Sequence, residues 1–313
     1  MERIVTITLN PTVDKSTRVE KLVAEQKLNC ETPKYEPGGG GINVSRALKR
    51  LGSDSISVFP AGGRTGELLQ ELLREENIGQ KVVITKNETR ENFVVVDNSS
   101  NQQYRFGMPG PEMQPNEVEQ FIALIKQMSP EWIVVSGSLP PGVNPDFVAE
   151  IGSLSRKLKA KFIVDTSGEA LKHAVDGGVY LLKPNLGELS KLVGVETLDN
   201  ESVDEAAKDL VAKGKCEIVV VSMGPMGACL VSKDIEEHVS APAVKKLSTV
   251  GAGDSMLAGM IHALSEGRDL QEVVRLGVAC GTAATMNPGT ELFKVADVEK
   301  LYRWLCRNLV ANA

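Results

Sequence analysis

Short apolar runs rich in β-branched residues recur along the chain with helix-length stretches between most of them. This alternation restricts the possible folds more than any other feature. Ile4 to Leu9, Ile56 to Pro60, Trp132 to Ser136, Phe162 to Asp165, Tyr180 to Lys183 and Ile218 to Ser222 read as strands. Several are apolar almost throughout, as parallel strands covered on both faces must be. Gly41 to Leu51, Gly66 to Glu76, Asn116 to Met128, Pro145 to Leu158, Val203 to Lys213 and Asp254 to Ser265 read as helices. The pattern predicts an α/β fold on an open, mostly parallel sheet. Ligands bind such sheets outside the carboxyl ends of the strands, so the chemistry is expected there.

Two segments depart from the alternation. Thr12 to Tyr35 and Arg90 to Phe106 alternate polar and apolar residues with no helix between them. They predict a small antiparallel sheet projecting from the main body, serving as a lid over a site or as an oligomer contact. A decorative hairpin is the plainer alternative. No internal repeat, low-complexity segment or long linker interrupts the chain, so residues 1–313 are expected to form one domain with the lid segments near 12–35 and 90–106.

The net charge of −6 leaves no broad basic face for nucleic acid. An acidic protein that takes an anionic ligand must gather its cations locally. The five cysteines are scattered without a Cys-x-x-Cys pair and only three histidines are present, so neither a zinc site nor a disulfide framework is expected. Free thiols fit a reducing compartment. The first residues read as a strand, with no apolar leader, and no apolar stretch is long enough for a membrane span. A cytoplasmic protein is expected.

Thr249-Val250-Gly251-Ala252-Gly253-Asp254-Ser255 runs into an apolar helix. Its small residues let the backbone approach a ligand, and amides at a helix start cradle anions. Asp254 there could take a proton from a hydroxyl attacking a phosphoryl group; an ordinary N-cap is the competing reading. A serine hydrolase using Ser255 lacks the last glycine of Gly-x-Ser-x-Gly, since Leu257 stands there, and His173, His238 and His262 have no telling context. Gly38-Gly39-Gly40-Gly41-Ile42-Asn43 opens another helix; it fits neither the dinucleotide fingerprint nor the P-loop, but Asn43 and Asp14 suit a polyol. A turn residue near Pro11 is the plain reading of Asp14. Asn185 and Glu188, after Lys183-Pro184, could organise Mg²⁺ through its waters, with Lys183 on a phosphate; a capping box is the alternative. The turn from Ser222 through Gly224 to Gly227 could receive nucleotide phosphates or simply close a hairpin. Arg90 and Arg105 in one lid segment, and Lys27 in the other, are the local cations for a phosphate, whereas Lys245 and Lys246 read as solvated charge.

These motifs, with Ser136-Gly137-Ser138-Leu139-Pro140 between them, come in one order, and the ensemble resembles the PfkB, or ribokinase-like, family of carbohydrate kinases from end to end. The resemblance implies a ribokinase-like three-layer α/β/α fold with a small β-sheet lid. Within the family the chain is most similar to the bacterial 6-phosphofructokinase type, on stretches such as Phe59-Pro60-Ala61-Gly62-Gly63 and Gln103-Tyr104-Arg105-Phe106-Gly107. That similarity implies ATP-dependent phosphorylation of fructose 6-phosphate at the C1 hydroxyl, with tagatose-6-phosphate kinase and 1-phosphofructokinase as alternatives and a non-catalytic sugar-phosphate sensor as a remote one. It assigns the sugar phosphate to Asp14, Gly39, Asn43, Arg90, Arg105 and Ser138, with Lys27 reaching across a homodimer formed through the lid. It assigns ATP to Lys183, Asn185, the Ser222 to Gly227 turn, Val278 and Thr282, with Mg²⁺ at Glu188. Asp254 becomes the base, and the amides of Gly251, Ala252 and Gly253 the anion hole. It also implies a monovalent cation, K⁺, held largely by backbone oxygens at Ser248, Val250, Ala284, Asn287 and Gly289. The chain departs from the closest type at Pro288, Glu291 and Asn29, where that type carries glutamine, arginine and arginine.

Overall fold

In the computed structural model, which describes residues 4–199, 202–289 and 291–310, a nine-stranded sheet forms the middle layer. Its strands are β1 (Ile4–Ile7), β4 (Ile56–Ala61), β5 (Gly79–Ile84), β8 (Trp132–Ser136), β9 (Lys161–Asp165), β10 (Val179–Leu182), β11 (Cys216–Ser222), β12 (Ala228–Ser232) and β13 (Glu236–Val239). The order is β13-β12-β11-β10-β9-β8-β1-β4-β5. All neighbours are parallel except the first two pairs in that order, β13 with β12 and β12 with β11, which are antiparallel. The chain leaves β1 for β4 on one side and returns to β8 on the other, so β1 marks the switch point where a ligand crevice opens.

Alternate residues of each strand enter two different cores. Val5, Ile7, Ile133, Val135, Val164, Leu182 and Val219 face one of them. That core is closed by α3 (Pro115–Met128), α4 (Asp146–Leu158), α5 (Gly168–Gly177), α6 (Leu186–Val193) and α7 (Ser202–Ala212). Ile4, Trp132, Val134, Ile163, Leu181 and Val220 face the other, closed by α1 (Gly40–Arg50), α8 (Ala252–Ser265), α9 (Leu270–Thr285) and α10 (Val295–Val310). Each fully buried aliphatic side chain contributes about 1.5–3 kcal/mol, so a strand with both faces filled is fixed in register from both sides. A third, smaller core joins α2 (Gly63–Glu75), through Leu69 and Leu73, to Phe59, Ile42 and Val13.

The second sheet is the lid, in the order β3 (Lys34–Gly38), β2 (Thr12–Val19), β6 (Arg90–Asp97) and β7 (Gln102–Phe106). It corrects the antiparallel expectation. β2 pairs antiparallel with β3, and β6 with β7, but the central pair β2 and β6 is parallel over Thr12–Val19. Two antiparallel pairs, β3 with β2 and β6 with β7, thus lie side by side. The first strand ends at Ile7 rather than Leu9, since the chain turns at Thr8 to enter the lid. The sequence reading had also passed over β5, α5, α9, α10 and the antiparallel edge strands β12 and β13.

α1 begins against the end of β1. Gly39, at its N-cap, has φ 117° and offers no side chain; the hydroxyl of Thr8, from the end of β1, accepts the Ile42 N–H at 2.8 Å instead. A Cβ on Gly41 would lie 2.6 Å from the Ile7 carbonyl oxygen. Main chain cannot swing aside, so α1 would have to retreat from the crevice. Gly41→Ala is expected to lower unfolding free energy by about 1–3 kcal/mol, read as a lower urea midpoint at unchanged m-value; an unchanged midpoint would mean α1 is not wedged against β1.

Candidate active site

The carboxyl ends of five parallel strands deliver the polar groups. β1 leads to Asn10 and Asp14, β8 ends in Ser136, β9 ends in Asp165, β10 is followed by Lys183, and β11 ends in Ser222. The N-terminus of α8 closes over them and presents Asp254. The Asn43 side-chain amide donates to Asp254 Oδ2 at 2.9 Å, and the Ser136 hydroxyl lies 3.4 Å from Oδ1. Gly40 makes this meeting possible, since a Cβ there would come within 2.3 Å of Ser136 Oγ. Burial pushes the Asp254 carboxyl up to about 6, with the Asp165 carboxylate adding to the rise, while Asn43, Lys183 and Ser136 hold it back. Asp254 thus stands in the first turn of α8 without being its N-cap, a place Gly251 takes.

Lys183 is almost wholly buried and pairs with Asp165 Oδ2 at 3.0 Å. Burial alone would discharge it; the carboxylates of Asp165, Asp254 and Glu188 outweigh burial and hold the ammonium above its ordinary value. A Cβ on Gly253 would lie 3.5 Å from Lys183 Nζ, which puts this cation beside the first turn of α8. Asn185 caps α6 in a reciprocal box: its Oδ1 accepts from the Glu188 N–H and Glu188 Oε2 accepts from the Asn185 N–H, each at 2.9 Å. The capping alternative is therefore real, and it leaves the other Glu188 oxygen outside the box. Burial and the nearby Asp165 charge raise Glu188. Such a carboxylate would be relieved by a divalent cation, and a single carboxylate with an amide suits Mg²⁺ that keeps its waters.

Ser222 bonds to the Pro184 carbonyl through its N–H, at 2.9 Å, tying the start of the hairpin turn to the loop that carries Asn185. The turn runs from Met223 to Gly227 and does join two antiparallel strands, as the plainer reading held. Gly227 has φ 99° and a Cβ there would sit 1.9 Å from the Val239 carbonyl oxygen, so no other residue fits. Met223, Pro225, Met226 and Ser240 line an open recess of about 350 Å³ beside it. Thr282 and Val278 lie on α9, which packs along α8, and Val278 is buried in the second core.

On the lid side, buried Asp14 accepts from the Asn92 amide at 3.1 Å, and burial raises its carboxyl. Arg90 spends much of its guanidinium on main chain, donating to the carbonyls of Asn10, Pro11 and Met108. Two of its five N–H groups remain beyond those bonds. Arg105 reaches from β7 to the Thr249 hydroxyl at 3.3 Å, so the lid touches the loop before Gly251. Ser138 accepts from the Asn10 amide at 3.2 Å. Lys27 is not with them. It is exposed on the loop after β2. That loop starts beyond Val19, about 16 Å along the strand from Asp14 at the usual rise.

The backbone stretches proposed for a monovalent cation do converge. Ser248 Oγ donates to the Gly289 carbonyl at 3.0 Å and accepts from the Val250 N–H at 3.2 Å, and Asn287 N–H donates to the Ala284 carbonyl. Neutral main-chain oxygens of this kind suit a large monovalent ion, so the residues fit the group. Thr290 lies outside the described residues. Glu291 pairs with Lys34 of β3 at 2.8 Å, so the departure at this position ties the loop to the lid base.

Three groups in the cluster escaped the sequence reading. Ser136 sits in a motif that had been read for Ser138. Asp165 ends a strand and was read only as strand. Arg46, fully buried, pairs with Glu76 at 2.6 Å and also donates to the Pro37 carbonyl. Its guanidinium lies 3.4 Å from Asn43 Oδ1, which turns the Asn43 amide nitrogen toward Asp254.

A carboxylate of raised pKa, a buried ammonium and a helix N-terminus meeting at one crevice under a β-lid define a small-molecule phosphotransferase. The chain belongs to the pfkB family of carbohydrate kinases, whose pattern matches residues 3–295. It is 45% identical over 309 residues to the ATP-dependent 6-phosphofructokinase isozyme 2 of Escherichia coli K12, covering 98% of this chain and 100% of that protein. Two crystal structures of Escherichia coli phosphofructokinase-2 superpose on 98% of this chain and 100% of theirs: the complex with potassium at TM-score 0.94 and 44% identity, and the complex with fructose-6-phosphate at 0.92 and 43%.

Because the folded value of Asp254, about 6, lies above the ordinary 3.8, the native state holds this proton more tightly than the unfolded chain. The contribution is full below the ordinary value and is lost as pH rises through about 6. Asp254→Asn is therefore expected to be more stable than the parent at pH 8 by about 3 kcal/mol, the gain vanishing below about pH 4. Thermal melts across pH would show it; equal melting at pH 8 would contradict a strained carboxylate.

Proposed function

We propose that the chain is an ATP-dependent 6-phosphofructokinase, transferring the γ-phosphate of ATP to the C1 hydroxyl of fructose 6-phosphate to give fructose 1,6-bisphosphate and ADP. The observation that carries this is the position of Asp254, bonded to Asn43 on the lid side and lying within the field of Lys183 on the other. The identity to a 6-phosphofructokinase across nearly the whole chain supports the choice of sugar.

In this reading Asp14 and Asn43 orient the sugar hydroxyls, and Arg90 and Arg105 meet the 6-phosphate with their remaining donors. Asp254 Oδ1 or Oδ2 receives the proton of the C1 hydroxyl as the C1 oxygen bonds to the γ-phosphorus and the bond from that phosphorus to the β-phosphate oxygen breaks. Amides of Gly251, Ala252 and Gly253 face the charge that develops on the transferring group, and the α8 N-terminus adds its partial positive charge. Lys183 lies where the triphosphate would meet that helix end. Asn185 and Glu188 would hold Mg²⁺ through its waters, and the ion would supply neutralisation of phosphate charge there. A K⁺ ion at the Ser248 to Gly289 loop would brace the anion-binding turn.

We take the active form to be a homodimer joined through the lids. Tyr35, Lys15, Phe93 and Phe106 pair across the lid in one row, on the face opposite Asp14 and Asn92. Tyr35, Phe93 and Phe106 are 37%, 37% and 47% exposed, and an apolar row of that kind wants cover. A second copy there gives Lys27 a site to reach. Charged substrates that do not cross membranes support a cytoplasmic enzyme.

A coupled ADP-release assay with fructose 6-phosphate, tagatose 6-phosphate and fructose 1-phosphate should show the highest kcat/KM on the first. No turnover on any of them would overturn the reading. Asp254→Asn should lose about 10²- to 10⁴-fold in kcat at little cost in ATP affinity. Turnover should climb with pH through about 6 and then level, since the base works deprotonated. Asp165→Asn removes a charge that raises Asp254, so its acid limb should move to lower pH. Light scattering should give twice the chain mass, and Phe93→Glu should halve it.

A further inference from the structure

The scattered cysteines and histidines argued against a metal in the sequence, because no spacing joined them. The fold joins three. Cys229 on β12 and His238 on β13 are direct cross-strand partners, so both project from the same face of the edge hairpin. Asp204, in the first turn of α7, lies over them. Its Oδ1 accepts from both, the Cys229 thiol at 3.1 Å and His238 Nε2 at 2.8 Å, and the three ligand atoms all fall within 4.8 Å of one another.

We propose that Asp204, Cys229 and His238 form a site for a borderline-soft divalent cation of the Zn²⁺ class, separate from the kinase crevice and its Mg²⁺. The ligand set decides the metal: one sulfur, one imidazole and one carboxylate suit zinc, whereas an all-oxygen set would suit magnesium. Tetrahedral zinc with ordinary bond lengths needs sulfur–oxygen and nitrogen–oxygen separations of about 3.5 and 3.3 Å. The observed distances, 3.1 and 2.8 Å, are shorter by about 0.4 and 0.5 Å, within what rotation of three side chains supplies. The floor of the site is dry, with Cys229 fully buried, while the His238 and Asp204 side chains are 43% and 20% exposed. An ion can therefore enter from solvent, which also supplies a fourth ligand. Glu236, two residues before His238 on the same face of β13, is held at the rim by Lys208 at 2.7 Å. The carboxylates of Asp204 and Glu236 outnumber that single ammonium around the site.

Metal binding would displace one proton, from the Cys229 thiol to water, as the metal–sulfur bond forms. His238 ligates as neutral imidazole and Asp204 as carboxylate. The bound ion would staple α7 to the hairpin whose other end is the Ser222 to Gly227 turn.

The test is a Co²⁺ titration of the full chain, stripped with chelator and carrying Cys30→Ser to remove the exposed thiol. We expect thiolate-to-cobalt charge-transfer absorption and four-coordinate d–d bands, both erased by one equivalent of Zn²⁺. Cys229→Ala should abolish the charge-transfer band, and His238→Gln should weaken binding at least tenfold, with the circular dichroism of both unchanged. Zn²⁺ should raise the melting temperature of the parent and not of Cys229→Ala. A parent without the charge-transfer band, or a band that survives Cys229→Ala, would overturn the site. If Cys229→Ala misfolds, His238→Gln decides alone, because that side chain is half in solvent; undiminished cobalt affinity there would equally overturn it.

Discussion

A buried ammonium governs this crevice. Lys183 has lost nearly all its water, and an isolated charge in that position costs several kcal/mol. It survives as a cation because Asp165 closes on it at 3.0 Å and because Asp254 and Glu188 lie near enough to add their fields. The pairing fixes the ends of β9 and β10 relative to each other and relative to α8. It also sets the chemistry. Asp165 pushes the Asp254 proton affinity up and Lys183 pulls it down, so the carboxyl settles where a base can work near neutral pH.

A second buried charge performs the complementary task on the other side of Asp254. Arg46 is held by Glu76, and Lys34 bridges Glu36 and Glu291 close by. The Arg46 guanidinium stands against Asn43 Oδ1, which leaves only the amide nitrogen to face Asp254. A flipped amide would set oxygen against carboxylate and oxygen away from guanidinium, losing both contacts at once. The orientation of Asn43 is thus decided a shell away from the substrate, by an arginine whose role is to point another residue.

The parts of this design visible in sequence were those that announce themselves locally. Strands filled on both faces are apolar throughout, so β8 and β11 could be read directly, and Gly251 to Asp254 and Gly38 to Asn43 carry their conformational demands in their own composition. Asp165, Ser136 and Arg46 were not visible, because each looks ordinary until the fold sets it beside its partner: Asp165 beside Lys183 from the next strand, Ser136 beside Asp254 on α8, and Arg46 beside Glu76 at the end of α2. α9 escaped for a related reason. It is buried against α8 and α10, and its run of small residues, with Gly277 against Met260 and Gly281 against Ala252, has no polar face to give a helical period. The parallel pairing of β2 with β6 escaped because alternation shows that a segment is a strand, and says nothing of the direction of its neighbour. The capping box at Asn185 shows the limit of choosing between readings: the cap is present, and the same bonds hold Glu188 at the mouth of the crevice.

An acidic chain that binds two anionic substrates needs positive potential without many free cations, and the arrangement of the arginines explains how it is obtained. Arg90 is largely committed to three carbonyls, Arg46 to Glu76, and Lys183 to Asp165. What remains is Arg105, two N–H groups of Arg90, and the α8 N-terminus with its small-residue loops, whose amides cost no net charge and leave no flexible side chain to be ordered. Paired cations hold the scaffold, and main-chain dipoles then present the field. A phosphate entering the crevice would meet Lys183 at a donor Asp165 does not hold, and its charge would add to the field that Lys183 and Asp165 already set around Asp254. Donor binding and the proton affinity of the base are therefore coupled through one ammonium.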